Sequence, residues 1–170
     1  MSARCVGWTS PIFSWTPFRK LKTSPLQSVG FATSAVMSMK EKRCRPIPNI
    51  VTAPFPGFST DLQSALMAVL STADGISFVE EKIFEARFQI VPELVKMGAS
   101  IVNQDSFALI EGVRRLSGAK VQARELRGGA GLIMAALAAE GETVKEGMEY
   151  VRRGYEDIKG DLKSLGIVIY

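Results

Sequence analysis

The pattern of residues 52–88 predicts a helix followed by a strand. Prolines and a glycine in residues 54–58 indicate a loop, and Ser59-Thr60-Asp61 then offers oxygens to the first backbone N–H groups of a helix. Apolar residues recur at the spacing of one helical face, at Leu62, Leu66, Val69 and Leu70. Asp74-Gly75 ends the predicted helix, and residues 76–84 form a predicted strand.

The rest of the chain continues as alternating helices and strands. Gln104-Asp105 is predicted to be a hairpin turn between two strands. Helices are predicted at 90–97, 127–139 and 156–165. Strands are predicted at 99–103, 106–111, 120–123, 143–150 and from 167 to the end.

The same order of features occurs twice along the chain. The matching pairs are 64 to 68 positions apart: Asp61 and Glu125, Gly75 and Gly141, Arg87 and Arg153, Gly98 and Gly166. Two copies of one helix–strand–helix unit predict a pseudo-symmetric α/β layer, with the paired residues in equivalent places.

Composition separates a leader, residues 1–44, from a domain, residues 45–170. Residues 1–40 contain no Asp or Glu and are rich in Ser and Thr, which is typical of an organelle transit peptide. An arbitrary translated leader or a disordered segment is the alternative.

The net charge of +4 comes from the leader, because eight of the 21 basic residues but only one of the 17 acidic residues lie in the first 45 positions. The domain is therefore slightly acidic, which argues against a nucleic-acid partner. The sequence contains no run of eighteen or more apolar residues, which a membrane-spanning helix would need.

The candidate chemistry excludes histidine, because the chain has none. Both cysteines, Cys5 and Cys44, precede the patterned region, and no metal-binding cluster is visible. Acid–base work must therefore fall to Asp, Glu, Lys, Tyr or Cys.

Four motifs in order carry a resemblance that covers roughly residues 45–166. They are PGFSTDLQ around Asp61, IFEARF around Arg87, LSGAKVQARELR around Arg127 and RRGYEDI around Arg153. Together they resemble the C-terminal part of the UDP-N-acetylglucosamine enolpyruvyl transferases.

The resemblance implies a partial inverse α/β barrel, with about two repeated α/β units of one domain. It implies transfer of the enolpyruvyl group from phosphoenolpyruvate to the 3-hydroxyl of UDP-N-acetylglucosamine in peptidoglycan precursor synthesis, with no cofactor and no metal. It also implies inactivity of this chain by itself, and either the missing domain or self-association as a partner. A bacterial chain would be cytoplasmic, and a transit peptide at 1–40 would direct it to a plastid.

The resemblance also assigns the site. Asp61 matches the proposed base for the sugar hydroxyl, and Ile83 matches a position whose backbone contacts the UDP-sugar. Arg87, Arg127 and Arg153 match three active-site arginines, and the latter two hold phosphoenolpyruvate in the family. Guanidinium groups suit this task because their planar fork meets carboxylate and phosphate with paired hydrogen bonds.

Ordinary structural roles remain open for each residue. Asp61 could be a helix cap, Ile83 a core strand residue, and the arginines solvated or salt-bridged surface groups. The chain also departs from the family pattern. Glu125 replaces an aspartate, Ala86 replaces an asparagine, and the family's catalytic cysteine has no counterpart.

Two other functions remain open. One is a catalytically silent α/β domain that binds a ligand or serves as an interaction module. The other keeps the reaction and changes the acceptor to shikimate 3-phosphate. The quoted motifs favour the UDP-sugar.

Overall fold

The structure, a computed structural model, describes residues 43–165 and residue 167. The predicted leader, apart from Arg43 and Cys44, lies outside the described residues, as does all of the predicted final strand except Ile167, which is not in a strand.

Helices and strands are mixed along the chain, broadly in the predicted order, with α4, β5 and β7 as additions to it. Within residues 43–165 the α-helices are α1 (Gln63–Leu70), α2 (Val91–Lys96), α3 (Leu126–Ala138), α4 (Met148–Arg152) and α5 (Ile158–Ser164). Short 3-10 helices, Thr60–Leu62 and Arg87–Ile90, precede α1 and α2. The strands of the described part are β1 (Ile50–Val51), β2 (Ile76–Glu80), β3 (Ser100–Gln104), β4 (Phe107–Glu111), β5 (Leu116–Ser117), β6 (Lys120–Gln122), β7 (Ala139–Glu140) and β8 (Val144–Glu146).

The sheets follow the repeat. In the first unit a four-stranded sheet has the order β1-β2-β4-β3, in which β1 and β2 are parallel and the other pairs are antiparallel. In the second unit β6 and β8 are parallel, as are β5 and β7. Each unit therefore joins two parallel strands through a helix, which confirms the duplicated α/β pattern.

The two long helices, α1 and α3, pack directly against each other and form the centre of the core. Gly131 permits this contact, because a Cβ there would lie 2.7 Å from the Ser64 carbonyl oxygen and 2.6 Å from Ile90 Cδ1. A second, smaller cluster under α3 contains Ala130, Ile133, Val151, Tyr155, Ile158 and Leu162. The starts of both long helices are held side by side.

Several predicted elements differ from the structure. The strand predicted at 76–84 ends at Glu80, because the buried Glu81 carboxylate accepts hydrogen bonds from the amides of Ile83 and Phe84 and folds the chain into a loop. The hairpin turn is one residue later than predicted, at Asp105-Ser106. On α1 the buried face centres on Met67 and Leu70, whereas Leu62 is exposed.

The strand predicted at 143–150 is also wrong in its second half. Gly147 adopts φ +77°, which favours glycine, and this ends β8. The following residues form α4, whose Val151 is fully buried.

Candidate functional site

Asp61 lies in the 3-10 turn that begins the first long helix. Ser59 is the N-cap, and its hydroxyl accepts from the Asp61 backbone N–H over 3.3 Å. The cap role considered for Asp61 therefore belongs to Ser59. The Asp61 side chain is 55% exposed and available for other contacts.

The start of α3 faces Asp61. Glu125 occupies the N-cap position of α3 without capping it through its side chain, and Arg127 is the second helical residue. The Arg127 Nε atom lies 2.9 Å from Asp61 Oδ1, which makes an ion pair between the two long helices. The terminal nitrogens of Arg127 have no hydrogen-bond partner among the residues the structure describes.

Arg87 joins the same group from the loop after β2. Its Nη1 donates to Glu125 Oε2 over 3.2 Å, and its Nη2 lies 3.9 Å from Asp61 Oδ1. The guanidinium also lies 4.6 Å above the ring of Phe84. Only 11% of the Arg87 side chain is exposed, so these contacts hold it in one place.

We call the group of Asp61, Arg87, Glu125 and Arg127 the charge cluster. The charges of its two carboxylates and two guanidinium groups cancel. The ion pairs Arg127–Asp61 and Arg87–Glu125 each join one repeated unit to the other. Two buried atoms in it, Arg87 Nε and Glu125 Oε1, have no hydrogen-bond partner within the described chain. Unpaired buried polar atoms are costly, so the cluster has bonding capacity left for a ligand or water.

Ile83 lies near the cluster but not in it. Its backbone N–H donates to Glu81 Oε1 over 2.8 Å, and its side chain is partly exposed. The loop from Glu81 to Phe88 lines an open depression of about 450 Å³ together with Asp105 and Ser106. Ile83 is thus a loop residue, and the core-strand alternative is wrong.

Arg153 makes no hydrogen bond or ion pair with the residues of the charge cluster. It is exposed at the C-terminal end of α4, in a stretch that lies between the predicted strand 143–150 and the predicted helix 156–165, and its guanidinium lies 5.4 Å from the Tyr150 ring centre. The next residue, Gly154, packs on Leu126 at the start of α3, where a Cβ would lie 2.8 Å from Leu126 Cδ2. The backbone of Arg153 is therefore near Arg127, although no contact joins the two side chains.

Two further ionisable residues surround the start of α3. Burial raises the pKa of Tyr155, and the charge of Arg127 offsets this only in part. Burial lowers the pKa of Lys145 to about 8, while the charge of Glu149 acts in the opposite direction. The Lys145 ammonium packs near Gly129 and contacts Met148 Sδ at 3.4 Å.

Sequence reasoning did not select Glu81 or Lys145. Each belongs to a run of charged or alternating residues that is typical of a solvated surface, and only the fold shows that Glu81 is buried and Lys145 half-buried. The sequence did give a signal for Glu125, because the repeat places it in the position equivalent to that of Asp61. Within the described chain no group of three or more acidic or cysteine residues is arranged to hold a metal ion. Nor does any helix in that part combine the length and apolar character of a membrane span.

Comparison with known proteins gives consistent matches. The family model described as EPSP synthase (3-phosphoshikimate 1-carboxyvinyltransferase) matches residues 28–162. The chain is 51% identical over 125 residues to UDP-N-acetylglucosamine 1-carboxyvinyltransferase 2 of Caldanaerobacter subterraneus subsp. tengcongensis, covering 74% of this chain and 30% of the relative. It is 45% identical over 147 residues to UDP-N-acetylglucosamine 1-carboxyvinyltransferase of Paracoccus denitrificans, covering 86% and 34%.

A solved structure agrees with the sequence relatives. The enolpyruvyl transferase NikO from Streptomyces tendae superposes with a TM-score of 0.67 at 30% identity, over 74% of this chain and 29% of that one. The chain thus has the inverse α/β barrel fold of these proteins in part, and it spans about a third of the length of the relatives just named. The resemblance seen in the four motifs is confirmed: this chain belongs to the EPSP synthase family of enolpyruvyl transferases.

Proposed function

We propose that the chain contributes one wall of an active site that transfers the enolpyruvyl group of phosphoenolpyruvate to the 3-hydroxyl of UDP-N-acetylglucosamine. The observation that carries the proposal is the charge cluster, in which Asp61 and Arg127 meet at the starts of two helices. The names of the relatives support the UDP-sugar as acceptor in preference to shikimate 3-phosphate.

In the proposed reaction the sugar hydroxyl adds to C2 of phosphoenolpyruvate while C3 gains a proton. Loss of phosphate from C2 and of a proton from C3 then restores the double bond. Asp61 takes the hydroxyl proton, because its carboxylate is exposed and is not used as a cap. Its contact with Arg127 keeps it near the cation that binds phosphoenolpyruvate.

Arg127 meets Asp61 through Nε, so its terminal nitrogens can receive the phosphate or carboxylate of phosphoenolpyruvate. Fixed positive groups also stabilise charge that develops on the departing phosphate. Arg153 follows α4 on the turn that packs on the start of α3, and Arg87 adds a guanidinium group that is already paired with Glu125. Ile83 offers backbone groups of the loop to the UDP-sugar.

The proton donor for C3 is not among these residues, because the cysteine that the resemblance implies has no match in this sequence. We therefore expect the chain alone to bind ligands without turnover. In a bacterium the reaction would be cytoplasmic. A plastid location would require a transit-peptide role for residues 1–40, which the structure does not describe.

The test is calorimetric titration of the full chain with UDP-N-acetylglucosamine and, separately, with phosphoenolpyruvate. We expect Arg127→Gln to weaken phosphoenolpyruvate binding at least about tenfold, since a charge-assisted hydrogen bond is lost. Arg124→Gln, three residues earlier and exposed, is the matched control and should change it less than about twofold.

A second matched pair tests Arg153. Arg153→Gln should weaken phosphoenolpyruvate binding, whereas Arg152→Gln, its exposed neighbour, should not. Binding of shikimate 3-phosphate but not of UDP-N-acetylglucosamine would reassign the acceptor. If no ligand binds, the alternative of a catalytically silent interaction domain is favoured. If the chain releases phosphate at the rate of an intact transferase, the expectation that it is inactive alone is wrong.

A further inference from the structure

Glu81 is a buried carboxylate on which four donors converge. Only 3% of its surface is exposed. Its Oε1 accepts from the Thr52 hydroxyl at 2.8 Å and from the amides of Ile83 and Phe84 at 2.8 and 3.1 Å. Its Oε2 accepts from the Thr60 hydroxyl at 2.7 Å. Burial raises the pKa of Glu81, but the hydrogen bonds from Thr60, Ile83, Thr52 and Phe84 together lower it below its ordinary value.

Three of these bonds, from Thr60, Ile83 and Phe84, join the two parts of the candidate site that lie on the first unit, whereas Thr52 belongs to neither part. Thr60 directly precedes Asp61, and Ile83 and Phe84 begin the loop that leads to Arg87. The same carboxylate thus fixes the residue before the proposed base and the backbone that carries the proposed UDP-sugar contact. Among the described residues the other ion pair or hydrogen bond between these two segments is the longer one from Arg87 Nη2 to Asp61 Oδ1, at 3.9 Å.

We propose that Glu81 is a positioning residue for the enolpyruvyl transfer site: it locks the Thr60-Asp61 turn and the 81–87 loop into one rigid unit. It does not touch substrate. It acts by fixing the direction of Asp61 relative to Arg127 and the backbone of Ile83 before a ligand binds. This inference rests on the proposed function for its meaning, although the lock itself can be tested without any ligand.

The competing explanation is that Glu81 only stabilises the fold. Variants of two threonines distinguish this explanation from a positioning role. Thr60 and Thr52 are both buried, and both donate to the Glu81 carboxylate. Thr52 also accepts from the Lys82 amide at 2.8 Å, so its hydroxyl makes two bonds and that of Thr60 makes one. Structural damage alone therefore predicts that Thr52→Val is at least as disruptive as Thr60→Val.

The first experiment needs no ligand. The side-chain Nε–H resonance of Arg127 is followed by ¹⁵N NMR in the full chain, because it reports the contact with Asp61. We expect Thr60→Val to shift or broaden this resonance, and Thr60→Ser, which keeps the hydroxyl, to restore it. Thr52→Val should leave it in place. An unchanged resonance in Thr60→Val would overturn the proposal.

The second experiment measures binding of UDP-N-acetylglucosamine by calorimetry. We expect Thr60→Val to weaken binding about five- to tenfold, Thr60→Ser to return it to within about twofold, and Thr52→Val to change it less than about twofold. If both valine variants bind the sugar more weakly in proportion to their loss of folding stability, the role of Glu81 is only structural. If the unaltered chain does not bind the sugar, the proposed function fails, and the Arg127 resonance still decides the role of Glu81.

Discussion

Arg127 Nε lies 2.9 Å from Asp61 Oδ1, although 66 positions separate the two residues in the chain. Asp61 belongs to the first repeated unit and Arg127 to the second. The hydrogen bond from Arg87 to Glu125 also crosses between the units. The duplicated sequence thus brings together residues that form a site only as a pair of units.

Asp61→Asn should change the free energy of unfolding by less than about 1 kcal/mol, because its ion pair with Arg127 is partly exposed and Ser59 supplies the cap. Binding of UDP-N-acetylglucosamine should nevertheless weaken. Urea denaturation and calorimetry measure the two effects.

Ser59→Ala provides the opposite control. It should cost about 1 kcal/mol of stability through loss of the cap while leaving the carboxylate in place. A large stability loss in Asp61→Asn with a small one in Ser59→Ala would contradict the assignment of the cap.

Gly131→Ala should destabilise the fold by about 1–3 kcal/mol, because the added methyl group would push α1 and α3 apart at the Ser64 backbone. Gly128→Ala, on the same helix, would place its methyl group 3.4 Å from the Glu125 side chain, which is an ordinary contact. It should be neutral or stabilise by up to about 1 kcal/mol through helix propensity. Equal urea midpoints for the two variants would refute the close helix contact.

Lys145 should make stability rise with pH above about 8. Its folded pKa of about 8 is below the ordinary value of 10.5, because burial disfavours the charged form. Across that window the unfolded chain binds a proton that the folded chain has released, so the free energy of unfolding increases with pH. Lys145→Met should be more stable at neutral pH and should lose this slope.

Urea midpoints between roughly pH 7.5 and 9.5 test the Lys145 prediction. Tyr155 makes stability fall with pH, but only at higher pH. Its pKa is raised in the folded chain, so the unfolded chain loses the phenol proton first. Lys120→Met, on the exposed side of β6, is the control and should keep the slope. The same slope in Lys145→Met and the unaltered chain would exclude Lys145 as its source.

Acid should remove the contribution of the two buried glutamates. For Glu81 and Glu93 burial raises the pKa, but hydrogen bonds, chiefly from Thr60 and Lys96 respectively, lower it below the ordinary 4.5. Their stabilisation is therefore present above pH 4.5 and lost as the pH falls below it. Glu81→Gln combined with Glu93→Gln should lower stability at pH 7 and flatten its acid dependence, measured by thermal unfolding.

The outer face of the first sheet should promote self-association. Phe78, Leu109 and Val102 lie in one row across three strands, and 70% of Val102 is exposed on the edge strand β3. Val102→Lys should shift sedimentation velocity toward the monomer. Asn103→Lys places the same charge on the other face of β3 and should leave association unchanged, and a monodisperse unaltered chain would disprove the prediction.

Local signals predicted the longest helix well, but they missed α4 and overextended two strands. The α3 helix begins and ends within one residue of its predicted bounds, because a dense apolar run follows a glycine-rich start and determines it locally. The strand ending at Glu80 was overextended because its end depends on hydrogen bonds from Thr52 and Thr60, 29 and 21 positions away. Local periodicity contains no information about such partners.

The same limit applies to the candidate site. Repeat spacing placed Asp61 and Glu125 in equivalent positions, and the motifs selected Arg87 and Arg127. The pairing that results, Asp61 with Arg127 and Glu125 with Arg87, depends on how the two long helices cross. For Arg153 the motif named the residue, but the end of α4 determines where it lies.

The crossing of ion pairs between the two units has a consequence for fragment complementation. A cut in the connection between Gly112 and Gly118 would leave Asp61 and Arg87 on one polypeptide and Glu125 and Arg127 on the other. Neither piece alone could form the ion pair of Asp61 with Arg127. If this ion pair forms when the two pieces are mixed, the native contact between the two repeated units has reassembled.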